Sequence, residues 1–259
     1  MSDTQPLEAS PIPEIGTLTL HEIWSALRAG LHDFRRAPGY GLFFSAFYVL
    51  VGAVLILIDA GTFVWTLVLS LGFPLVAPFA AVGLYEVSRR LEREQPLVWG
   101  EILGVVFAEK DRQIPWMGVI ILMVFLFWSF FAHMLFALFM GLSTLTNISS
   151  SYEALLTTNG LTMIAMQVVI GAAVAFLVFA ATVVSLPLLL EKEIDFVSAM
   201  LVSFRAVGQN LGVMLVWAAV IAGMLFLGMV PLFLGLFVAL PVLGHATWHI
   251  YRRTLYHPV

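Results

Sequence analysis

The chain has 259 residues, 61% of them hydrophobic and 11% charged, with a net charge of −4 and no cysteine. Soluble domains carry about 25% charged residues, so most of this surface must meet lipid rather than water. The acidic balance, with no basic patch apart from helix ends, excludes nucleic acid as a partner; the lack of cysteine excludes disulfides, thiolate metal sites, covalent c-type haem and thiol catalysis.

Residues 1–16 are polar and acidic and carry Pro6, Pro11 and Pro13. They read as a disordered tail, without the positive region or apolar core of a signal peptide. A single membrane domain is expected over 17–259. It opens with Leu20, Ile23, Trp24, Leu27, Leu31 and Phe34 at helical spacing, behind a Thr19/Glu22 capping box. This predicts an amphipathic helix lying in the membrane interface with its apolar face on lipid.

Six stretches then reach the roughly 20 apolar residues a transmembrane helix needs: 40–59, 62–84, 114–141, 161–190, 210–230 and 232–251. The third and fourth are longer than a bilayer requires and should tilt or project. The first and last pairs read as tight hairpins, turning at Asp59-Ala60-Gly61 and near Pro231. A Ser/Thr/Asn-rich loop fills 142–160. Two further amphipathic segments precede the later hairpins. One carries Trp99, Ile102, Leu103, Val106 and Phe107. The other carries Val197, Met200, Leu201 and Phe204, with Asp195 as its N-cap.

All twelve Lys and Arg fall on one side of this topology: three before the first span, five in 85–113, two in 191–209 and two in the C-terminal tail. Positive residues are retained in the cytoplasm during insertion, so both termini are expected there. The fold class is therefore all-α and polytopic, six helices in three hairpins, each preceded by a cytoplasmic interfacial helix.

The three units look alike. Trp24 precedes Pro38 by 14 residues, Trp99 precedes Pro115 by 16, and Phe196 precedes Asn210 by 14. Pro78 and Pro241 each stand 11 residues before an Arg-Arg pair, and that register aligns Glu86 with His249. The pattern predicts a parallel threefold repeat about an axis along the membrane normal.

Candidate chemistry is sparse. His245 and His249 share a helix face at the i, i+4 spacing a metal can use, and Glu86 joins them through the repeat alignment. These three form the candidate ligand or proton site, with structural anchoring at the interface as the plainer alternative. His133 and Gln167 enter the outer leaflet to similar depth and are expected to pair as a structural helix–helix contact. No Walker A motif, nucleophile elbow or Rossmann glycines occur. No catalytic residue is assigned, and no cofactor is required; a metal or haem belongs only to the alternative built on the two histidines.

Four segments carry a family resemblance: Asp33-Phe34-Arg35-Arg36-Ala37-Pro38-Gly39-Tyr40-Gly41, Tyr85-Glu86-Val87-Ser88-Arg89-Arg90-Leu91-Glu92, Asp195-Phe196-Val197-Ser198-Ala199-Met200 and Gly244-His245-Ala246-Thr247-Trp248-His249. They resemble the bacterial integral membrane proteins catalogued as domain of unknown function 2189. The resemblance implies an inner-membrane protein and carries no activity or site residues with it. The leading expectation is a non-enzymatic scaffold, assembly factor or accessory subunit, held in the lipid bilayer and partnered by a larger inner-membrane complex. A cytoplasmic-side His/Glu metal or cofactor site and a small-molecule or lipid transporter are the alternatives.

Overall fold

The computed structural model describes residues 14–57, 63–141 and 155–256. The turn at 59–61, most of the 142–160 loop and residues 1–13 of the expected tail lie outside them. Among the described residues ten α-helices follow in order: α1 Leu20–Arg36, α2 Pro38–Leu57, α3 Phe63–Glu92, α4 Trp99–Ala108, α5 Ile114–Met140, α6 Thr158–Thr182, α7 Ser185–Glu191, α8 Phe196–Gln209, α9 Leu211–Met229 and α10 Leu236–Tyr256. No strand occurs among the described residues.

Helix ends follow local chemistry. The Thr19/Glu22 capping box starts α1 as expected, the Glu22 carboxylate accepting from the Thr19 N–H and hydroxyl at 2.7 and 2.8 Å. Asp195 accepts from the Ser198 N–H at 2.9 Å and caps α8. Pro115 sits in the first turn of α5, where its missing N–H costs nothing. A short 3-10 turn, Glu109–Asp111, joins α4 to α5.

By length and composition, three described segments can cross a bilayer: α5, α6 with α7 (Thr158–Glu191), and α9. A fourth is counted if α1 and residues Pro38–Val54 form one span, bent by 100° between them. The expected 161–190 span is not one unbroken helix. Proline lacks the N–H for the i−4 bond and clashes with that carbonyl, and the break between α6 and α7 falls at Val183–Val184, just upstream of Pro187. Ser203 of α8 fills it: its hydroxyl accepts from the Val184 N–H at 3.2 Å and donates to the Ala180 carbonyl at 2.7 Å. Pro78 and Pro241, by contrast, lie inside continuous helices.

The first helix departs from expectation. Its buried stripe is Ile23, Ala26, Gly30 and Asp33, whereas Leu20 and Trp24 point outward, 53% and 56% exposed. The covered face lies on α10 rather than lipid. A Cβ on Gly30 would stand 2.6 Å from both the Ala246 nitrogen and the Val242 oxygen, so the two backbones touch. The preceding residues are strapped down as well. Gly16 donates to the Thr254 carbonyl at 2.8 Å, and Asn210 holds the Leu18 N–H and Gly16 carbonyl at 2.6 and 2.9 Å.

The main core gathers where α1, α3, α7, α8, α9 and α10 meet, around Ile23, Val82, Tyr85, Leu188, Val202, Trp217, Trp248 and Tyr251. The α4 helix packs on α3, and α8 on α6 and α7. Aromatic pairs tie the same two helices to further neighbours: Trp99 of α4 stacks on Tyr40 of α2 at 3.9 Å, and Phe196 of α8 on Trp116 of α5 at 6.1 Å. Away from this core, α5 turns Phe127, Phe130 and Leu138 outward.

Candidate functional site

The polar side chains concentrate at the end of the bundle carrying the Arg-rich helix termini. There α10, α3 and α1 bring His245, His249, Ser88 and Asp33 together. His245 and His249 project from one face of α10, Ser88 from the last turns of α3, and Asp33 from the buried stripe of α1. His249 Nε2 lies 2.8 Å from Asp33 Oδ2, the Ser88 hydroxyl donates to the same oxygen at 2.8 Å, and His245 Nδ1 lies 2.8 Å from the Ser88 Oγ. Asp33, Ser88 and His245 are buried.

Burial alone would push the Asp33 carboxyl up. The hydrogen bond and charge of His249, with the Ser88 hydroxyl, outweigh it and hold the group below the ordinary carboxylate value. An ionised Asp33 can only accept, so the single Ser88 proton goes to it. Ser88 must then accept from an Nδ1–H of His245, whose Nε2 is buried and makes no hydrogen bond.

The residue types are those of a hydrolytic triad, but the order is wrong for one. A triad serine gives its proton to histidine; here it gives it to aspartate, from a fully buried position. The arrangement is a hub that joins three helices.

Glu86 takes no part in it. Its carboxylate pairs with Arg90 Nε at 2.7 Å and Arg89 at 2.6 Å on its own helix. Arg90 continues to Glu101 of α4. Among the described residues no group of three or more His, Cys, Asp or Glu could hold a metal ion. The expected trio of Glu86, His245 and His249 is thus not assembled as a ligand set, because adjacent arginines offer Glu86 a nearer countercharge.

Asp33 and Ser88 were not legible as site residues by motif. A signal existed, since Asp33 continues the spacing of Ile23, Ala26 and Gly30 on one stripe, and a charge on a buried stripe needs partners. Around the hub, ion pairs join the helix ends. Arg252 binds Glu92 at 3.0 Å and Glu191 at 3.4 Å, Arg93 binds Glu191 at 3.2 Å, and Arg112 bridges Glu109 and Glu193. Tyr251 donates to Glu191 at 2.6 Å and Trp248 to Glu92 at 3.0 Å.

At the other end, Gln167 of α6 does reach α5, though not the His133 ring. It donates to the Ala132 carbonyl at 3.1 Å, while His133 Nδ1 lies 2.7 Å from the Ser129 carbonyl of its own helix. Backbone of the neighbouring helix satisfies the glutamine in place of the imidazole.

Several bilayer-length apolar helices, with the polar chemistry gathered at one end, define an all-helical integral membrane protein. Residues 65–191 match the family described as "Predicted integral membrane protein (DUF2189)", which establishes the resemblance over that stretch. The match includes the Tyr85–Glu92 motif, while the other three motifs lie outside it. No curated protein and no solved structure matches the chain.

Proposed function

We propose that the chain is a six-span protein of the bacterial inner membrane, with both termini cytoplasmic, acting as a non-enzymatic scaffold, assembly factor or accessory subunit. One observation carries the reading: in the Asp33–Ser88–His245/His249 hub the carboxylate, the hydroxyl and one nitrogen of each imidazole are engaged in joining helices, with His245 Nε2 left over. Ser88 is inaccessible as a nucleophile, and the Asp33 carboxylate is already bound twice.

Three interlocked units give the scaffold its form. Each cytoplasmic-side helix rests on the second span of another unit: α4 on α3, α8 on α6 and α7, and α1 on α10. The second spans in turn meet at Glu92, Glu191 and Arg252. This supports the threefold repeat and counts α10 as a central span, shielded from lipid by its neighbours.

Transport is disfavoured by the cavity of about 220 Å³ between α2, α3, α9 and α10. Among the described residues its lining has no carboxylate, imidazole, amine or guanidinium, and its Ser45 and Thr247 hydroxyls donate to carbonyls of their own helices. A coupled transporter needs an ionisable group on its path.

Two experiments test the proposal. In mild detergent the protein should co-purify with a larger membrane complex; a clean monomer with a saturable small substrate would defeat the scaffold reading. Because cysteine is absent, single cysteines at Gln95, Ser150 and Lys192 report sidedness. Gln95 and Lys192 should label from the cytoplasm and Ser150 from the opposite face.

A further inference from the structure

Beside the hub, a cleft of about 190 Å³ opens between the ends of α3 and α10, lined by Glu92, His249, Arg252, Arg253 and Tyr256. Drug-sized ligands need roughly 300 Å³ or more, so this space suits one small polar group. Its charges are unequally answered. Glu92 is held by Arg252 and by the Trp248 N–H, Arg252 also by Glu191, and His249 by Asp33.

Arg253 is different. Among the described residues its one hydrogen-bond acceptor is the Glu22 backbone carbonyl at 3.2 Å, and no carboxylate among them lies within ion-pairing distance. The Glu22 side chain is turned to its capping bonds with Thr19. Burial works against the charged form of Arg253, only partly offset by the Glu22 charge. A half-buried guanidinium without a counter-charge is costly unless an anion supplies one. Arg252 lies 4.5 Å over the Tyr256 ring, which fixes its planar fork beside the same space.

We propose that this cleft binds a single phosphate group, with Arg253 as its principal ligand and His249, Arg252 and Tyr256 around it. An arginine fork matches phosphate oxygens in geometry as well as charge. The phosphate comes either from an anionic phospholipid headgroup or from a free phosphate, because the cleft lies at the Arg-rich end of the bundle, beside the last turns of α3 and α10.

The test uses the full chain in detergent. Native mass spectrometry counts retained phosphatidylglycerol against phosphatidylcholine, and thermal shift follows inorganic phosphate. One phosphatidylglycerol, inorganic phosphate, or both should bind; which of them does identifies the source. Losing a charge-assisted hydrogen bond should weaken binding about tenfold or more in Arg253→Gln. Arg253→Lys, which keeps the charge, should lose less and serves if the glutamine variant misfolds. Arg28→Gln, on the outward face of α1, should bind like the parent. Three results would overturn the proposal: no binding of either probe, equal binding by Arg253→Gln or by both Arg253 variants, or an equal loss in Arg28→Gln.

Discussion

The α1–α10 joint and the α5–α6 pair are two solutions to holding helices together in one molecule. In the first, Gly30 lets two backbones touch, and Asp33 stitches α1 to both α3 and α10 from a buried position. In the second, Gly171 lies under the Trp128 indole and one bond runs from Gln167 to a carbonyl. Lipid tails are as apolar as the side chains they touch, so association there rests on packing and isolated hydrogen bonds. The polar end can draw on buried charge, where removing one partner is costly. Rigidity should therefore reside at the Arg-rich end and compliance in the α5–α6 arm.

Gly30→Val should break this contrast most strongly. Its Cβ meets backbone atoms of α10, which cannot swing aside as side chains do, so a destabilisation of about 3 kcal/mol is expected. Thermal unfolding in detergent with size-exclusion checks it; unchanged behaviour would mean that α1 is not seated on α10. Asp33→Ala comes next, at about 2 kcal/mol from two orphaned donors at a buried site, while Asp33→Asn, which keeps an acceptor, should cost less.

Acidity distinguishes two carboxyls at the same end. Asp33 is held below its ordinary 3.8, so its stabilisation is present above that pH and lost as pH falls through the depressed native value. Glu109 runs the other way. Burial pushes it above 4.5 despite Arg112 at 2.6 Å, so its contribution is present below pH 4.5 and fades as pH rises through the raised value. Unfolding temperature against pH should show Asp33→Ala losing the acid-side fall and Glu109→Gln losing the gain on mild acidification. Two unchanged profiles would remove both assignments.

The smallest effects belong to the α5–α6 arm. Gly171→Leu should cost about 1 kcal/mol, because the Trp128 ring can yield toward lipid. Gln167→Leu should cost about 0.6 kcal/mol, typical of one interhelical bond in a membrane. Losses there equal to those at Gly30 would erase the distinction between the two regions.

Helix positions were readable because hydrophobic runs and caps are local: Thr19 and Glu22 announce α1, Asp195 announces α8, and Pro115 marks the start of α5. What covers a helix face is not local. Leu20 and Trp24 look as apolar as Ile23, and an amphipathic stripe reads the same whether lipid or protein lies beneath it. The true stripe is rotated toward Ala26 and Gly30, two residues whose smallness allows close approach and gives no hydrophobic signal. The histidines were found by spacing. Their partners were not, because Ser88 and Asp33 become neighbours only through a contact spanning 55 residues, and Asp33 and His249 through one spanning 216.

That last separation sets an order of events during biosynthesis. The surface that receives α1 is made only after every intervening helix has left the ribosome. Until then Asp33 and its stripe have neither their imidazole nor their backbone groove, so the nascent amino-terminal helix waits as an unsheltered intermediate. Seating of α1 on α10 is a late docking step. Shortening the wait, by placing α9 and α10 ahead of α1 in a circular permutant, should accelerate maturation without altering the finished protein.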